Sequence, residues 1–377
     1  MNFSKLDAFM ETMTARGIPG CELAVTKDGE TVYRKCVGYA DLAKTRPVSP
    51  RDLYWIFSAT KVITCLAAMR LVEEGRLDLK DPVSKYIPEY ADLKILNKDR
   101  TLRPAQASMT VEHLFTMTGG MNYNRKAPSL LEAITPNAST LDLVRAMAKE
   151  PLAFEPGTHY QYSFCHDVLA AVVEVITGMR FSTYLEELFF KPLGLRNIGF
   201  RPNEEQRTRF ADMYGFLPGT ERAVPRPCEN AFCLSSQYDS GGAGLFSSVD
   251  DYTRIISVIA CGGATEDGYR ILKPETIRML QENRLCDDAL NDFVTTRLYG
   301  YGWGLCGRVH INPVTSLSLS PVGEFGWDGA AGAFVMIDPE NRVALYFGIH
   351  IHGYRYGYHV IHPTLRDLVY EGLATKA

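Results

Sequence analysis

The chain has 377 residues, 46% of them hydrophobic, which is enough to bury a large core in one domain or in two interleaved ones. Its 40 basic and 44 acidic residues give a formal net charge of -4 with no long run of either sign, which argues against nucleic acid or a membrane surface as a partner. No stretch approaches the ~20 uninterrupted apolar residues of a membrane span.

The first residues predict an amphipathic helix, because Leu6, Phe9, Met10 and Met13 recur at helical spacing. The same segment lacks the apolar core of an export signal. The 9 cysteines form an odd number without a Cys-x-x-Cys pair, which is typical of reduced thiols. Together these features predict a cytoplasmic protein.

Two β-hairpins are predicted, one near each end of the chain. Residues 21–26 and 31–37 read as strands around an Asp-Gly turn, which is a strong hairpin signal. Residues 333–337 and 343–347 are two apolar, partly β-branched runs around an Asp-Pro turn. Residues 363–373 predict a final helix with proline at its first position.

The middle of the chain has a different character, because helical patterns and loops replace the strands. The clearest predicted helices cover residues 111–117, 140–149, 165–177 and 183–190. We therefore predict an α/β domain built from residues 1–82 and 238–377, interrupted by a mainly helical insertion at residues 83–237.

Ser58 and Lys61 form a Ser-x-x-Lys pair at the start of a predicted helix that ends at Gly75. Residues three apart share a helix face, so the amine can reach the hydroxyl and, when neutral, take its proton. Spacing alone leaves a plainer interpretation open, in which Ser58 caps the helix and Lys61 is solvated, since such a match arises by chance about once in a chain of this size.

The segment at Ser58 resembles the Ser-x-x-Lys motif of serine β-lactamases, penicillin-binding DD-peptidases and family VIII carboxylesterases. Similar blocks follow in the family's order at residues 79–88, 110–115, 118–120 and 155–158. The resemblance covers most of residues 15–350. It implies a central antiparallel sheet flanked by helices, a helical inserted domain, and Ser58 as a nucleophile that Lys61 activates.

A second block, Tyr-Gln-Tyr-Ser-Phe from residue 160, resembles the family's Tyr-x-Asn loop with Tyr162 as its tyrosine. In that role Tyr162 passes protons between Ser58, the leaving group and water while Lys61 stabilises its anion. Tyr160 is a competing choice, and plain aromatic packing also stays open for Tyr162. Phe164 stands where the family has asparagine, which removes an amide for peptide-like substrates and adds apolar surface.

The segment before the second hairpin reads Phe-Gly-Trp-Asp-Gly-Ala-Ala-Gly and resembles the family's edge strand with Lys-Thr-Gly or Trp-x-Gly. By this match the N–H groups of Ala330 and Ser58 form the oxyanion hole, and Gly329 lets substrate approach closely. Trp327 replaces a carboxylate-binding lysine with an apolar wall and one N–H donor. Trp303 is a rival placement that lacks the strand and turn downstream.

Three other features suggest different chemistry, and each has a plainer explanation. His350 and His352 would face one side of a strand as in some metal sites, but a third ligand is not evident. Residues 241–244 are Gly-rich but lack the lysine of a phosphate loop, and they resemble a family segment near the active-site wall. His166 and Asp167 suggest a Ser-His-Asp triad, yet the chain has no Gly-x-Ser-x-Gly elbow.

The sequence therefore predicts a serine hydrolase that works through an acyl-enzyme, with carboxylic esters of small to medium size as substrates. A β-lactamase or a D-amino-acid peptide or amide hydrolase is the first alternative, since it would share all the catalytic groups. A catalytically silent ligand-binding homologue is the second. We expect a small-molecule ester as partner, no cofactor and no metal, and the sequence leaves the oligomeric state open.

Overall fold

The computed structural model describes residues 1–217, 219–220, 222–295 and 298–374. The helices are α1 (Ser4–Glu11), α2 (Thr60–Glu73), α3 (Val111–Phe115), α4 (Pro128–Ala133), α5 (Thr140–Met147), α6 (Cys165–Thr177), α7 (Phe181–Leu185), α8 (Glu204–Arg207), α9 (Val249–Ala260), α10 (Pro274–Leu280), α11 (Asp287–Val294), α12 (Pro313–Ser316) and α13 (His362–Ala374). The strands are β1 (Gly20–Lys27), β2 (Glu30–Gly38), β3 (Tyr54–Trp55), β4 (Lys94–Leu96), β5 (Leu102–Pro104), β6 (Ile198–Gly199), β7 (Met213–Phe216), β8 (Ala223–Arg226), β9 (Phe246–Ser247), β10 (Tyr301–Gly304), β11 (Gly307–His310), β12 (Phe325–Gly326), β13 (Phe334–Asp338), β14 (Val343–Ile349) and β15 (Ile351–His352).

Both ends of the chain contribute to one antiparallel sheet. Within the described residues it contains seven strands in the spatial order β10-β11-β12-β13-β14-β1-β2. The junction between the two ends is the β1–β14 pair, whose register runs from Cys21 opposite Ile349 to Lys27 opposite Val343. The predicted α/β fold, with a central antiparallel sheet built from both chain ends, is confirmed.

The two predicted hairpins are present because their turns have suitable residues. Asp28 and Gly29 connect β1 to β2 with φ angles of +54° and +88°, which is the left-handed geometry that a tight two-residue hairpin needs. At the other end, the Asp338 carboxylate accepts the backbone N–H of Asn341 at 3.1 Å and so closes the β13–β14 turn.

Alternation along the strands divides the sheet into two faces, each covered by helices. Phe334 and Met336 of β13 belong to a core cluster that also contains apolar residues of α1 and α13. Val335 and Ile337 belong instead to the larger cluster that contains residues of α2, α6 and α9. The period-2 alternation of side chains thus places β13 between two helical layers.

The predicted helices are largely where the periodicity puts them, and the differences are local. Helix α6 has the predicted bounds, whereas the predicted helix at 183–190 is an α-helical turn followed by a π-helical turn at Glu186–Phe190. Strands β7 and β8 lie in a segment that carries no clear strand pattern. The boundaries of the helical insertion at residues 83 and 237 stay a prediction.

Within the part of the chain that the structure describes, no single helix is both long and apolar enough to cross a membrane. The bent pair Cys165–Thr177 and Phe181–Phe190 reaches that length and composition only when its two helices are taken together, across a 78° bend.

Candidate active site

Ser58 lies in a short 3-10 turn, Phe57–Ala59, that connects β3 to helix α2. The residue before it, Phe57, has φ +45°, a left-handed conformation that costs a bulky residue about 1–3 kcal/mol. Packing fixes this conformation, because the Phe57 ring is buried and meets the imidazole of His352 at 4.6 Å between ring centroids. The turn therefore places Ser58, which is 8% exposed, at the N-terminus of α2.

Lys61 is one helical turn along α2 and is 1% exposed. Its Nζ donates to the Ser58 Oγ at 3.3 Å and to the Gly242 carbonyl oxygen at 2.7 Å. It also donates to the phenolic oxygen of Tyr123 at 3.4 Å. The structure thus brings the predicted serine and lysine within hydrogen-bonding distance of each other, in a site where a buried amine has polar partners.

Tyr162 also lies beside Lys61. The Lys61 Nζ is 4.5 Å from the centroid of the Tyr162 ring. The Tyr162 hydroxyl accepts a hydrogen bond of 3.0 Å from the Trp327 Nε1. The rival Tyr160 packs its ring against Phe293 and Trp303 at 5.2 and 5.4 Å. Of the two candidate tyrosines, Tyr162 is therefore the one placed against the lysine, and its phenol is held by an indole.

Tyr123 is a site residue that the sequence analysis did not identify. Its hydroxyl accepts a hydrogen bond of 3.4 Å from the Lys61 Nζ, and its ring meets that of Tyr162 edge-on at 5.4 Å. Burial and the nearby Tyr162 hold the pKa of Tyr123 well above its ordinary value. Tyr123 is therefore a neutral phenol at neutral pH. The available signal was its position, three residues after the family-like Thr-Gly-Gly block.

The predicted oxyanion segment packs directly against the chain that leads to Ser58. An ideal Cβ at Gly329 would lie 2.4 Å from the Ile56 carbonyl oxygen, so only glycine fits at this approach. The Gly329 N–H donates to the Ala333 oxygen at 2.8 Å, which folds Ala330 into a tight turn. Ala330 is half-buried there. Its role as an N–H donor to substrate stays a prediction.

An aromatic wall surrounds the serine and lysine. Phe164 is 1% exposed and packs against the Tyr123 ring at 4.7 Å between ring centroids, so it is a buried residue beneath that ring. Trp303, the rival of Trp327, is fully buried and contacts the Trp327 ring at 4.4 Å. Phe232 stacks on Tyr123 at 5.3 Å and also lines a neighbouring cleft of about 490 Å³. The surroundings of Ser58 are therefore mainly apolar.

Of the histidines singled out in the sequence, His352 packs against Phe57 beside Ser58, and His166 and His350 contact backbone carbonyls. His166 is fully buried with its Nε2 3.1 Å from the Phe115 carbonyl, and burial lowers its pKa to about 3. The Nδ1 of His350 is 3.0 Å from the Ala211 carbonyl. Over the described ranges, no group of three or more His, Cys, Asp or Glu side chains is arranged to hold a metal ion.

The chain is similar to known proteins over most of its length. The model of the Beta-lactamase family matches residues 6–351. Esterase EstB of Burkholderia gladioli is 30% identical over 362 residues, 89% of this chain and 87% of that protein. A putative D-alanyl-D-alanine carboxypeptidase of Salmonella typhi is 29% identical over 366 residues, 90% of this chain and 81% of that protein.

Among solved structures, EstCE1, described as a hydrolase with promiscuous acyltransferase activity, superposes with a TM-score of 0.81. It is 23% identical and covers 98% of each chain, so this likeness bears on the fold alone. The family model and the EstB relative, together with the Ser-x-x-Lys pair in its expected place, confirm the resemblance drawn from the sequence. The chain belongs to the Beta-lactamase family, whose fold and serine hydrolase character it shares.

Proposed function

We propose that the protein is a carboxylesterase that cleaves small to medium esters through an acyl-enzyme on Ser58. The observation that carries this proposal is the indole of Trp327, whose Nε1 donates to the Tyr162 hydroxyl at 3.0 Å. Because an uncharged aromatic side chain occupies the place of the family's lysine, this position favours a neutral substrate over one that carries a carboxylate.

In the first half-reaction, Lys61 and Tyr162 together remove the proton of the Ser58 hydroxyl. The Ser58 oxygen forms a bond to the ester carbonyl carbon, and the resulting oxyanion accepts hydrogen bonds from the N–H groups of Ser58 and Ala330. When the carbon–alkoxide bond breaks, Tyr162 gives its proton to the leaving alcohol. The products of this step are the free alcohol and an ester on Ser58.

The second half-reaction repeats the same steps with water. The Lys61–Tyr162 pair accepts a proton from water, the hydroxide oxygen attacks the acyl carbon, and Ser58 leaves with the returned proton. The acid is released and the serine is restored. Because this set of groups does not select the acceptor, a second alcohol can replace water, which makes acyl transfer a side reaction of the same site.

The apolar surroundings of Ser58 support the choice of esters. Tyr123, Phe232 and Trp327 form one apolar side of the site, which suits an uncharged acyl or alcohol group. A peptide-like substrate would need hydrogen-bonding partners for its amides. Where the family has asparagine this chain has Phe164, which is buried behind Tyr123 and supplies no amide. The esterase relative at 30% identity supports the same assignment.

A steady-state assay tests the proposal with p-nitrophenyl acetate, p-nitrophenyl butyrate and nitrocefin. We expect many turnovers of both esters and little of nitrocefin, with an intact mass that increases by one acyl group during ester turnover. Fast hydrolysis of nitrocefin would show that the protein is a β-lactamase and contradict the assignment as an esterase. A single burst without turnover would identify a silent binding protein, and equal ester cleavage by Ser58→Ala would remove Ser58 from the mechanism.

A further inference from the structure

The peptide group that joins Gly329 to Ala330 is occupied on one side and free on the other. Ala330 is half-buried, and no backbone or side-chain acceptor among the described residues takes its N–H. On the carbonyl side, the Gly329 oxygen accepts the Tyr358 hydroxyl at 2.8 Å and the Gly332 N–H at 2.8 Å. Since backbone donors away from water are almost always paired, the Ala330 N–H is the end of this peptide that is available to a ligand.

A donor on the carbonyl acts on the N–H at the other side of the same peptide. The peptide group is planar and trans, so its N–H points away from its C=O in one plane, and fixing the oxygen fixes the direction of the N–H. Hydrogen bonds in series also polarise one another, so a bond to the carbonyl oxygen makes the N–H a stronger donor. Tyr358 can therefore orient and strengthen the Ala330 N–H from the far side of the peptide.

The phenol of Tyr358 is held in place as a donor. It belongs to the π-helical turn Gly357–Ile361 that leads into α13, and its ring meets that of His362 edge-on at 5.3 Å between centroids. Burial, with Asp328 and Tyr162 nearby, raises the pKa of Tyr358, so the hydroxyl keeps its proton at neutral pH. Single π-helical turns are frequent at functional sites.

His362, the first residue of α13, supports the other end of the turn that contains Ala330. Its Nε2 lies 3.0 Å from the Gly332 carbonyl oxygen, and its Nδ1 lies 3.4 Å from the Asp328 Oδ1. The C-terminal helical segment therefore holds both carbonyl groups that bound the turn, Gly329 through Tyr358 and Gly332 through His362.

Other hydrogen bonds keep the turn in shape without Tyr358. The Gly329 N–H donates to the Ala333 oxygen, and the Ile351 N–H donates to the carbonyl of the buried Ala331, both at 2.8 Å. Removing the Tyr358 hydroxyl should therefore leave the fold of the turn and change only how firmly its first peptide is held and how strongly it is polarised.

We propose that Tyr358 is a positioning residue that fixes and strengthens the Ala330 N–H for the oxyanion of the tetrahedral intermediate. This inference rests on the proposed ester hydrolysis at Ser58. As the Ser58 oxygen forms its bond to the acyl carbon, the π electron pair of the ester carbonyl moves onto its oxygen, and the Ala330 N–H donates to that oxyanion. Tyr358 keeps its proton throughout and forms no bond to substrate. Its effect is larger in the transition state than in the bound ester, because the charge on the oxygen is larger there.

Tyr358→Phe tests this role, because it removes the hydroxyl and keeps the ring. We expect kcat for p-nitrophenyl butyrate to fall by about 5- to 10-fold while KM changes by less than about 2-fold, since the lost interaction belongs to the transition state. Propyl trifluoromethyl ketone, which adds the Ser58 oxygen to give an oxyanion with the same alkyl chain, should bind more weakly by a similar factor. An unchanged kcat would overturn the role of Tyr358. So would a lower kcat with an unchanged inhibition constant of the ketone, because that loss would not involve the oxyanion.

The matched control is Tyr354→Phe. Tyr354 lies four residues earlier, and its hydroxyl donates to the backbone carbonyl of Arg16 at 3.1 Å. The control thus also removes a phenol from a backbone carbonyl, but away from the Gly329–Ala330 peptide, and we expect wild-type kcat and wild-type binding of the ketone. A loss as large as that in Tyr358→Phe would assign the effect to packing of the C-terminal segment and overturn the proposal.

A second variant keeps the hydrogen bond and makes it stronger. With 3-fluorotyrosine at position 358 the hydroxyl is a better donor, so kcat is expected to exceed that of the wild type, and a kcat below the wild type overturns the proposal even if Tyr358→Phe fails to fold. Ester turnover that persists in Ser58→Ala removes the proposed function. Wild-type kcat in Tyr358→Phe with Ser58→Ala inactive removes the role of Tyr358 alone.

Discussion

Two phenols lie beside Lys61, and replacing each by phenylalanine tests which one carries the proton. Tyr162→Phe removes the hydroxyl held by Trp327 and keeps the ring 4.5 Å from the lysine. General acid–base groups contribute about 10²–10⁴ in rate, so we expect kcat/KM to fall by at least ~100-fold. Tyr123→Phe removes one long hydrogen bond of 3.4 Å, worth about 1 kcal/mol, and lowers kcat/KM by about 5-fold.

The assay compares p-nitrophenyl butyrate with ethyl butyrate, because their leaving groups differ in how much they need a proton. With ethanol as leaving group the loss in Tyr162→Phe becomes larger, whereas the loss in Tyr123→Phe stays the same for both esters. A loss above 100-fold in Tyr123→Phe, together with less than 10-fold in Tyr162→Phe, would refute the assignment and make Tyr123 the proton carrier.

Three further predictions follow from buried polar groups. Trp327→Phe removes the N–H group that donates to the Tyr162 hydroxyl. Because hydrogen bonds to charged groups contribute about 1.5–3 kcal/mol, kcat for p-nitrophenyl butyrate should fall by about 10- to 100-fold. An unchanged kcat would contradict the role of the indole. Arg308 is 2% exposed and pairs with the carboxylates of Glu324 and Asp328, while Arg366 lies 4.0 Å from Glu324. Arg308→Met leaves these two carboxylates with one arginine and should cost about 3–5 kcal/mol in urea unfolding, and a cost below about 1 kcal/mol would count against this network. Burial raises the pKa of Glu22 from 4.5 to about 7, so the folded state keeps a proton that the unfolded chain releases, and stability falls as pH rises across that window. Glu22→Gln should remove about 2.5 kcal/mol of this fall between pH 5 and 8, measured by urea unfolding at both pH values, and a fall of wild-type size in the variant would exclude Glu22 as its source.

The sequence predicts correctly those parts of the fold that neighbouring residues determine. The Asp-Gly turn between β1 and β2 and the 3.6-residue repeat of α6 each depend on a few neighbouring residues, and both are found where the sequence puts them. Strands β7 and β8 have no such signal, because β7 is fixed by its pairing with β15, a segment more than a hundred residues away.

In the candidate site, too, only the residues with a local sequence signal could be predicted. Ser58 and Lys61 were predictable because their spacing on one helix brings them together. Tyr123 was not, because it lies in a loop without periodicity and reaches the lysine only through tertiary packing on Phe164 and Phe232. The environment of the buried Asp167 carboxylate was equally hidden, because Gly242, which packs against it, comes from a distant part of the chain.

The pairing of β1 with β14 has a consequence for biosynthesis. Gly20–Lys27 leaves the ribosome long before its partner Val343–Ile349 exists, and at 5–20 residues per second the delay is roughly 15–60 s. During that interval the edge of β1 that later pairs with β14 has no partner, which exposes the nascent β1–β2 hairpin to aggregation and makes it a ligand for chaperones. Polypeptides released before Gly329 is translated also lack the segment that packs beside Ser58, so premature termination yields no partly active enzyme.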